Sequence, residues 1–204
     1  QLVSQLTPVD RLSSGFYVPP QPPPPTGEVT VPFFILLTWG TGAQDLDLHL
    51  SGPDNLHVYY ADKGNATAFP YAQYFRDCTF PGGSEVIQVN KYVLNNSSLY
   101  RVLVHDFTSY ATTPDLGYSS TVLSGSSQAV VQLIRGGTVT DRTVTWDSSS
   151  QLASTVTGGQ IITTFNVTNT GAGNTWEVVE IDARTQRYRG LNRIVNFSSP
   201  SNVR

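Results

Sequence analysis

Residues 36–60 constrain the fold of this chain most strongly, because apolar and polar residues alternate there on both sides of a turn. In the first run, Leu46, Leu48 and Leu50 are separated by acidic and histidine residues, so a strand here would have one apolar and one polar face. The sequence Gly52-Pro53-Asp54-Asn55 follows, and such residues are typical of a turn between strands. This stretch therefore predicts a β-hairpin that packs through its apolar face.

The alternation also predicts how the two strands of the hairpin pair. Setting Leu50 opposite Leu56 brings the apolar side chains onto one face, whereas a slip by one residue would set His57 against Leu50. The same register pairs Leu48 with Val58, Leu46 with Tyr60 and His49 with His57. We expect the two histidines to face away from the core.

The polar face of this hairpin is a candidate metal site formed by Asp45, Asp47, His49 and His57. Carboxylates at alternate strand positions, with Asp54 in the adjoining turn, are oxygen ligands of the kind that Ca²⁺ prefers. The two histidines with one aspartate are instead suited to a transition metal. A solvated face without metal, or aspartates that bond only to loop N–H groups, explains the same residues, and the sequence leaves these interpretations open.

Aromatic residues suggest carbohydrate as another candidate ligand. They cluster in and around a long loop predicted over residues 62–83, where rings can stack on sugar faces, although such residues also serve as core or cross-strand partners. The residues concerned are Tyr59, Tyr60, Tyr71, Tyr74, Phe75 and Tyr110. No catalytic pattern accompanies them, since there is no Gly-x-Ser-x-Gly motif and the single Cys78 has no identifiable base. We do not expect an enzyme.

Composition argues against a nucleic-acid partner and a membrane span. Charged residues make up 13% of the 204 residues and the net charge is −3, whereas nucleic-acid binding requires a basic surface. The arginines between Arg184 and Arg193 are a local exception, which we interpret as a solvated strand face. No apolar run approaches the ~18 residues of a membrane-spanning helix.

Several features predict a secreted protein at the cell surface. Met is absent and the chain begins at Gln1, so we expect a processed product from which a signal peptide has been removed. Sequons for N-glycosylation begin at Asn65, Asn95, Asn96, Asn166 and Asn196. Cys78 has no partner for an internal disulfide, which leaves a buried residue, a free thiol or a link to another chain.

The first 27 residues differ in pattern from the rest of the chain. Residues 1–18 form an apolar arm, with either a short helix from Thr7 or a strand from Gly15, and residues 19–27 form a polyproline linker. Seven residues of polyproline II helix make a strut of about 20 Å. The arm is too apolar to remain in water, so we expect it to dock on a neighbouring subunit, with packing on its own domain as the alternative. The predicted contacts are Leu2, Leu6, Val9, Leu12, Phe16 and Val18.

Residues 28–204 predict a single all-β domain, an antiparallel β-sandwich of jelly-roll or Ig-like type. Residues 29–39 are almost continuously apolar, which indicates a strand buried on both faces. Residues 129–135 and 138–146 are expected to form a hairpin across Gly136-Gly137. Further strands are expected at residues 85–89, 99–105, 119–123, 161–167, 175–181 and 187–195, and no helix is expected in this region.

Several of these segments resemble the YfaP-like family of secreted β-sandwich surface modules. The resemblance rests on Leu37-Thr38-Trp39, on the run from Asp45 to Leu50 with Gly52-Pro53, on Glu85-Val86-Ile87 and on residues 174–182. It spans most of residues 30–195 and implies one domain that serves as a surface or adhesion module. The arm and linker lie outside the family pattern.

The sequence therefore predicts an extracellular structural subunit that self-assembles into a surface filament or layer through its arm. Identical subunits are the expected partners. The alternative is an adhesin module that binds carbohydrate or depends on calcium. A polymer formed without any ligand would favour the first function, and a monomer retained on glycans the second.

Overall fold

The computed structural model of the chain describes residues 27–94 and 98–204, with side chains from residue 33 onward. The predicted arm with its six contact residues, and the linker up to residue 26, lie outside the described residues. Asn95 and Asn96 lie outside them as well. The first described strand begins at Gly27, the last residue assigned to the linker.

The described residues form thirteen β-strands and one short α-helix. In chain order these are β1 (Gly27–Thr38), β2 (Leu46–Ser51), β3 (His57–Val58), β4 (Gly64–Asn65), β5 (Ala72–Tyr74), β6 (Ser84–Leu94), β7 (Leu99–Asp106), α1 (Phe107–Thr112), β8 (Val130–Arg135), β9 (Thr138–Trp146), β10 (Ser149–Thr157), β11 (Gln160–Asn166), β12 (Thr175–Asp182) and β13 (Arg187–Val195). Short 3-10 turns lie at Pro53–Asn55 and Pro200–Asn202.

Two antiparallel sheets pack face to face, which confirms the predicted all-β sandwich. One sheet has six strands in the order β11-β8-β1-β6-β5-β4, and the other has five in the order β13-β12-β7-β2-β3. The main core lies between them, where alternate residues of each strand point inward. Ile35, Leu48, Val104 and Trp176 are among its fully buried side chains.

Residues 33–37 of strand β1 are buried on both faces of the sheet, as the apolar sequence predicts. Ile35 and Leu37 belong to the main core, whereas Phe34 and Leu36 belong to a second, smaller apolar cluster on the opposite face of the sheet. The two-stranded ribbon of β9 and β10 covers that second face, since Val139 and Val156 pack against the smaller cluster. The ribbon therefore forms a partial third layer, which the sequence did not indicate.

The hairpin predicted across Gly136-Gly137 is wrong. β8 pairs with β1 and β11, while β9 pairs with β10. Arg135 lies opposite Gln160 and Thr138 opposite Thr157, so the four strands form one long hairpin that continues in register through two glycine pairs. Gly136, Gly137, Gly158 and Gly159 all have positive φ, between 67° and 97°, which bends both strands and folds the ribbon over the sheet. The glycines supply the expected backbone conformation, but for a bend rather than a turn.

The hairpin of β2 and β3 forms with a register two residues away from the predicted one. Leu50 lies opposite Val58 and Ser51 opposite His57, so the predicted pairs Leu50–Leu56 and His49–His57 are wrong. The turn is centred on Asp54, whereas the predicted pairs centre it on Pro53, and both Asp54 and Asn55 have the positive φ that this turn requires. A shift of two residues keeps every side chain on its predicted face, and Leu46, Leu48, Leu50 and Val58 are all fully buried.

Other departures concern polar segments. The strand predicted at residues 119–123 is absent, because Ser and Thr side chains there bond to nearby backbone groups and stabilise turns instead, as Ser120 Oγ does with Val122 N. Strand β10, rich in serine and threonine, was not predicted. Helix α1 was not predicted either, and Asp106 caps it by accepting a hydrogen bond from Ser109 N. Among the described residues, no helix has both the length and the apolar character needed to cross a membrane.

Candidate metal centre

The polar side chains of β2 lie on the outer face of the five-stranded sheet. Leu46, Leu48 and Leu50 point into the main core, so the strand pleat directs Asp47 and His49 to the opposite face. β2 pairs with β7, and in that pairing Asp47 lies opposite His105. The outward residues of two strands distant in sequence thus meet on one surface.

This surface points away from the core as predicted, yet it is not solvated. The exposed fractions are 2% for Asp47, 0% for His49, 8% for His57 and 0% for His105, which overturns the interpretation of a solvated polar face. Aromatic rings cover it. Tyr59 stacks on His57 with ring centroids 4.2 Å apart and on His49 at 5.1 Å, and Tyr110 lies 5.2 Å from His105.

The buried surface brings two groups of possible metal ligands together. In the first, Asp45, Asp47 and Asp77 each place a carboxylate oxygen within 4.8 Å of the other two. In the second, Asp47, His49 and His105 place their ligand atoms within the same distance. Asp47 belongs to both groups.

Three of the four predicted ligands therefore belong to these groups, and His57 does not. His57 instead bonds to His49, with Nε2 2.9 Å from His49 Nδ1, so the two predicted histidines do touch. Asp77 and His105 were missed. Asp77 lies in the loop between β5 and β6, and His105 reaches the site only through the pairing of β2 with β7, which no local pattern reveals.

Most of these side chains keep an atom without a hydrogen-bond partner among the described residues. These buried atoms are Asp45 Oδ1, Asp47 Oδ2, Asp77 Oδ1, His49 Nε2 and both ring nitrogens of His105. The nearest approach of His105 Nδ1 to Asp47 Oδ2 is 3.7 Å, too long for a hydrogen bond. Each buried polar atom left unpaired costs about 1–3 kcal/mol, so such a concentration requires an explanation.

Within the described residues, no lysine or arginine forms an ion pair with Asp45, Asp47 or Asp77. Burial, followed by repulsion from Asp47, Asp77 and Asp106, raises the pKa of Asp45 to about 8. Burial likewise raises the pKa of Asp47 well above its usual range, and it raises the pKa of Asp77 despite the opposing influence of Lys63. Protons or a cation must therefore neutralise this group in the folded protein.

The histidines are held in the neutral form. Burial lowers the pKa of His105 to about 4, and burial together with the charge of Arg204 lowers the pKa of His57 to about 4. The pKa of His49 is lowered well below its usual value by burial and by the neighbouring histidines. Neutral imidazoles retain a nitrogen lone pair, which is the form that binds metals.

Glu85 of the opposite sheet ties the site together. β3 pairs only with the end of β2, and along the remaining edge Glu85 Oε2 accepts a hydrogen bond from Leu48 N at 2.7 Å. Glu85 Oε1 accepts a second from Cys78 N at 3.3 Å, which holds the loop next to Asp77. One buried carboxyl group therefore positions both the strand and the loop that supply the aspartates.

The remaining predicted residues lie elsewhere. Asn65, Asn166 and Asn196 are exposed, as glycosylation requires, and Cys78 is a fully buried thiol. Of the six predicted sugar-binding aromatics, Tyr59, Tyr60 and Tyr110 lie around the candidate metal centre, where Phe107 joins them through ring contacts. Tyr74 is fully buried in the main core, Phe75 packs on the smaller cluster and Tyr71 lies against Lys91.

Comparison of the chain with protein-family models, with curated protein sequences and with solved structures finds no match in any of the three. The resemblance to YfaP-like modules thus stays a prediction from the sequence.

Proposed function

We propose that this protein is a calcium-dependent binding module of β-sandwich type, with Asp45, Asp47 and Asp77 as ligands of the ion. The observation that carries the proposal is the convergence of one buried and two half-buried carboxylates, each with a buried oxygen atom that has no partner among the described residues. Ca²⁺ takes six to eight oxygen ligands in flexible geometry, and three carboxylates match that preference better than they match a transition metal.

The position of the trio suits a site that also contacts a ligand. Asp47 is buried, whereas Asp45 and Asp77 are only half-buried, so the trio lies close to the protein surface. Three carboxylates leave several calcium coordination positions for water or for an incoming group. The sandwich would thus hold the ion through the three carboxylates, and the remaining coordination positions would be available to a ligand.

Calcium titration tests this function. Ca²⁺ at 100 times its dissociation constant should stabilise the fold by about 2.7 kcal/mol, seen as a rise in melting temperature that chelator reverses. Asp77→Asn should lose most of this response. Asp147→Asn is the matched control, because Asp147 lies at the exposed tip of the β9–β10 ribbon. A melting temperature that Ca²⁺ leaves unchanged would contradict the proposal.

Carbohydrate is the ligand class that we propose for the open side of this ion. Tyr60, Phe107 and Tyr110 are partly exposed, and the ring of Phe107 contacts the rings of the other two. Burial raises the pKa of Tyr60, which lies close enough to Asp47 and Asp77 that their charges add to the rise. Sugar hydroxyls can complete the coordination of Ca²⁺ while a pyranose face packs on an aromatic ring. Retention on a glycan array that is lost in chelator, and lost in Tyr60→Ala, is the expected result.

Self-assembly through the arm at an extracellular surface is the second candidate function. The observation that favours it is the edge strand β11, which contains no charged residue and no proline and exposes Ile161. Edges without such protection accept an added strand, and an arm from another copy would extend the sheet head to tail. Deletion of residues 1–18 should leave a folded monomer. Polymers that persist in electron micrographs after this deletion would exclude the arm.

A further inference from the structure

Asp47, His49 and His105 form a buried group on the histidine side of the candidate metal centre. Asp47 and His105 lie opposite each other on β2 and β7, and His49 follows two positions along β2 on the same face. The side chains of His105 and Asp47 are 0% and 3% exposed, and His49 is fully buried. No ligand atom of this group faces bulk water.

Atoms of these three side chains remain unpaired within the described part of the chain. They are Asp47 Oδ2, His49 Nε2 and both nitrogens of His105. One ligand atom from each residue lies within 4.8 Å of the other two. Two buried imidazoles and a carboxylate that converge without bonding one another are the arrangement expected around an ion.

We propose that Asp47, His49 and His105 form a second metal site, specific for a borderline divalent ion such as Zn²⁺. Nitrogen ligands distinguish this site from the all-oxygen calcium trio, because imidazole favours zinc and its neighbours over calcium. Ligands of one tetrahedral zinc ion lie roughly 3.3–3.5 Å apart, so small side-chain rotations bring the three atoms into position. This site shares Asp47 with the calcium trio but does not depend on calcium binding.

His57 is a positioning residue for this second site. His49 Nδ1 lies 2.9 Å from His57 Nε2, so when His49 carries its proton on Nδ1 it donates to His57 and leaves the lone pair of Nε2 for the ion. The ring of Tyr59 stacks on both imidazoles and fixes their planes.

Cobalt substitution in the full-length protein tests the proposal. Co²⁺ is titrated in excess Ca²⁺, so that the carboxylate trio is occupied, and tetrahedral coordination is read from the visible absorption of the cobalt ion. We expect one equivalent of Co²⁺, displaced by Zn²⁺, and at least tenfold weaker binding in His49→Gln and His105→Gln. His57→Gln should keep one equivalent with affinity reduced about 10–100-fold, the usual effect of losing an outer partner.

One further measurement, on the wild-type protein, keeps the proposal open to refutation if a histidine variant does not fold. X-ray absorption of the zinc-loaded wild-type protein should show two imidazole ligands, and a spectrum without them overturns the proposal. Cobalt binding that is unchanged in both His49→Gln and His105→Gln overturns it as well.

Calcium response and cobalt binding of the Asp77→Asn variant distinguish the second site from the calcium site. Loss of the calcium response with cobalt binding intact supports two sites. Loss of both ions would show a single site and overturn the second. Absence of a calcium response in the wild-type protein, with cobalt bound through two imidazoles, would remove the proposed calcium function and leave the second site standing.

Discussion

Acidic residues are buried in two different environments on the outer face of the five-stranded sheet. Where β12 and β13 pair, Glu180 is 7% exposed and bonds to Arg189 at 2.7 Å and to Arg101 at 3.3 Å, while Glu177 forms an ion pair with Arg193 at 2.5 Å. Where β2 and β7 pair, Asp47 is buried even more deeply and has no arginine or lysine ion pair within the described residues.

The contrast distinguishes a structural use of acidic residues from a binding use. Burial of a carboxylate is ordinary when a guanidinium accompanies it, because the pair and its hydrogen bonds offset part of the desolvation cost. The same burial without a cationic side chain leaves the charge to be balanced from outside the chain. The absence of an arginine at one end of this face, not the presence of aspartates, is what marks the candidate site.

The largest expected effect tests whether the two faces of β2 differ as described. Leu48 is fully buried in the main core between Asp47 and His49 in sequence. Leu48→Ala should lower the free energy of unfolding by about 2–5 kcal/mol, the usual cost of emptying a leucine site. Chemical denaturation in metal-free buffer measures it, and a cost below 1 kcal/mol would contradict the assignment of Leu48 to the core.

Asp47→Asn should have an effect whose sign depends on metal. In metal-free buffer the change removes a buried carboxyl group with a raised pKa, so we expect the free energy of unfolding to stay the same or to rise. In saturating Ca²⁺ the variant should forgo the ion's contribution, about 2.7 kcal/mol at 100 times the dissociation constant. Equal losses in the two buffers would argue against a cation at Asp47.

The pH dependence of stability should also differ between the two ends. The folded protein holds the proton of Asp45 up to a pKa of about 8, whereas the unfolded chain releases it near 3.8, so this contribution to stability is lost as the pH rises between these values. His57 and His105, with pKa lowered to about 4 from 6.5, act in the opposite direction up to pH 6.5. The metal-free protein should therefore lose stability between pH 6.5 and 8.

Denaturation at the two ends of that interval measures this loss. Asp45→Asn should reduce the slope, and saturating Ca²⁺ should abolish it, because the ion replaces the protons on the carboxylates. A metal-free protein that becomes more stable from pH 6.5 to 8 would refute the raised pKa of Asp45.

The smallest effect is expected at the arginine-paired end. Arg193 is 59% exposed on its side chain, so its ion pair with Glu177 is screened by solvent. Arg193→Ala should cost about 1 kcal/mol or less, with no dependence on metal, and Arg193→Lys should recover part of it. A calcium-dependent change in the free energy of unfolding of Arg193→Ala would mean that the two ends of the face are coupled.

The sequence predicted local features of the site but not its long-range partners. Alternation at Leu46, Leu48 and Leu50 correctly assigned the faces of β2, because side-chain direction is a property of the strand itself. The register was wrong by two residues, since the turn is centred on Asp54 and not on Pro53, where the predicted pairs place it. His105 and Asp77 could not be predicted, because strand order and loop path decide which distant residues meet.

The same limit applies to the fold. Continuous apolar residues predicted that β1 is buried on both faces, and this is confirmed for residues 33–37. The residues that cover its second face belong to a ribbon folded back at two glycine pairs, and a glycine pair is equally typical of a turn and of a bend. The pairing of β8 with β11, which only the structure shows, identifies the glycine pairs as bends and not turns.

The single cysteine makes the site open to chemical observation. Cys78 is fully buried, and its backbone N–H is tied to Glu85 beside Asp77. A thiol reagent can reach it only when this loop leaves the sandwich, so the labelling rate reports the opening equilibrium of the loop. Since an ion held by Asp77 would restrain the same loop, labelling should slow as Ca²⁺ binds. The labelling rate of Cys78, measured by mass spectrometry, would thus report how much of the proposed calcium site is occupied, without any engineered probe.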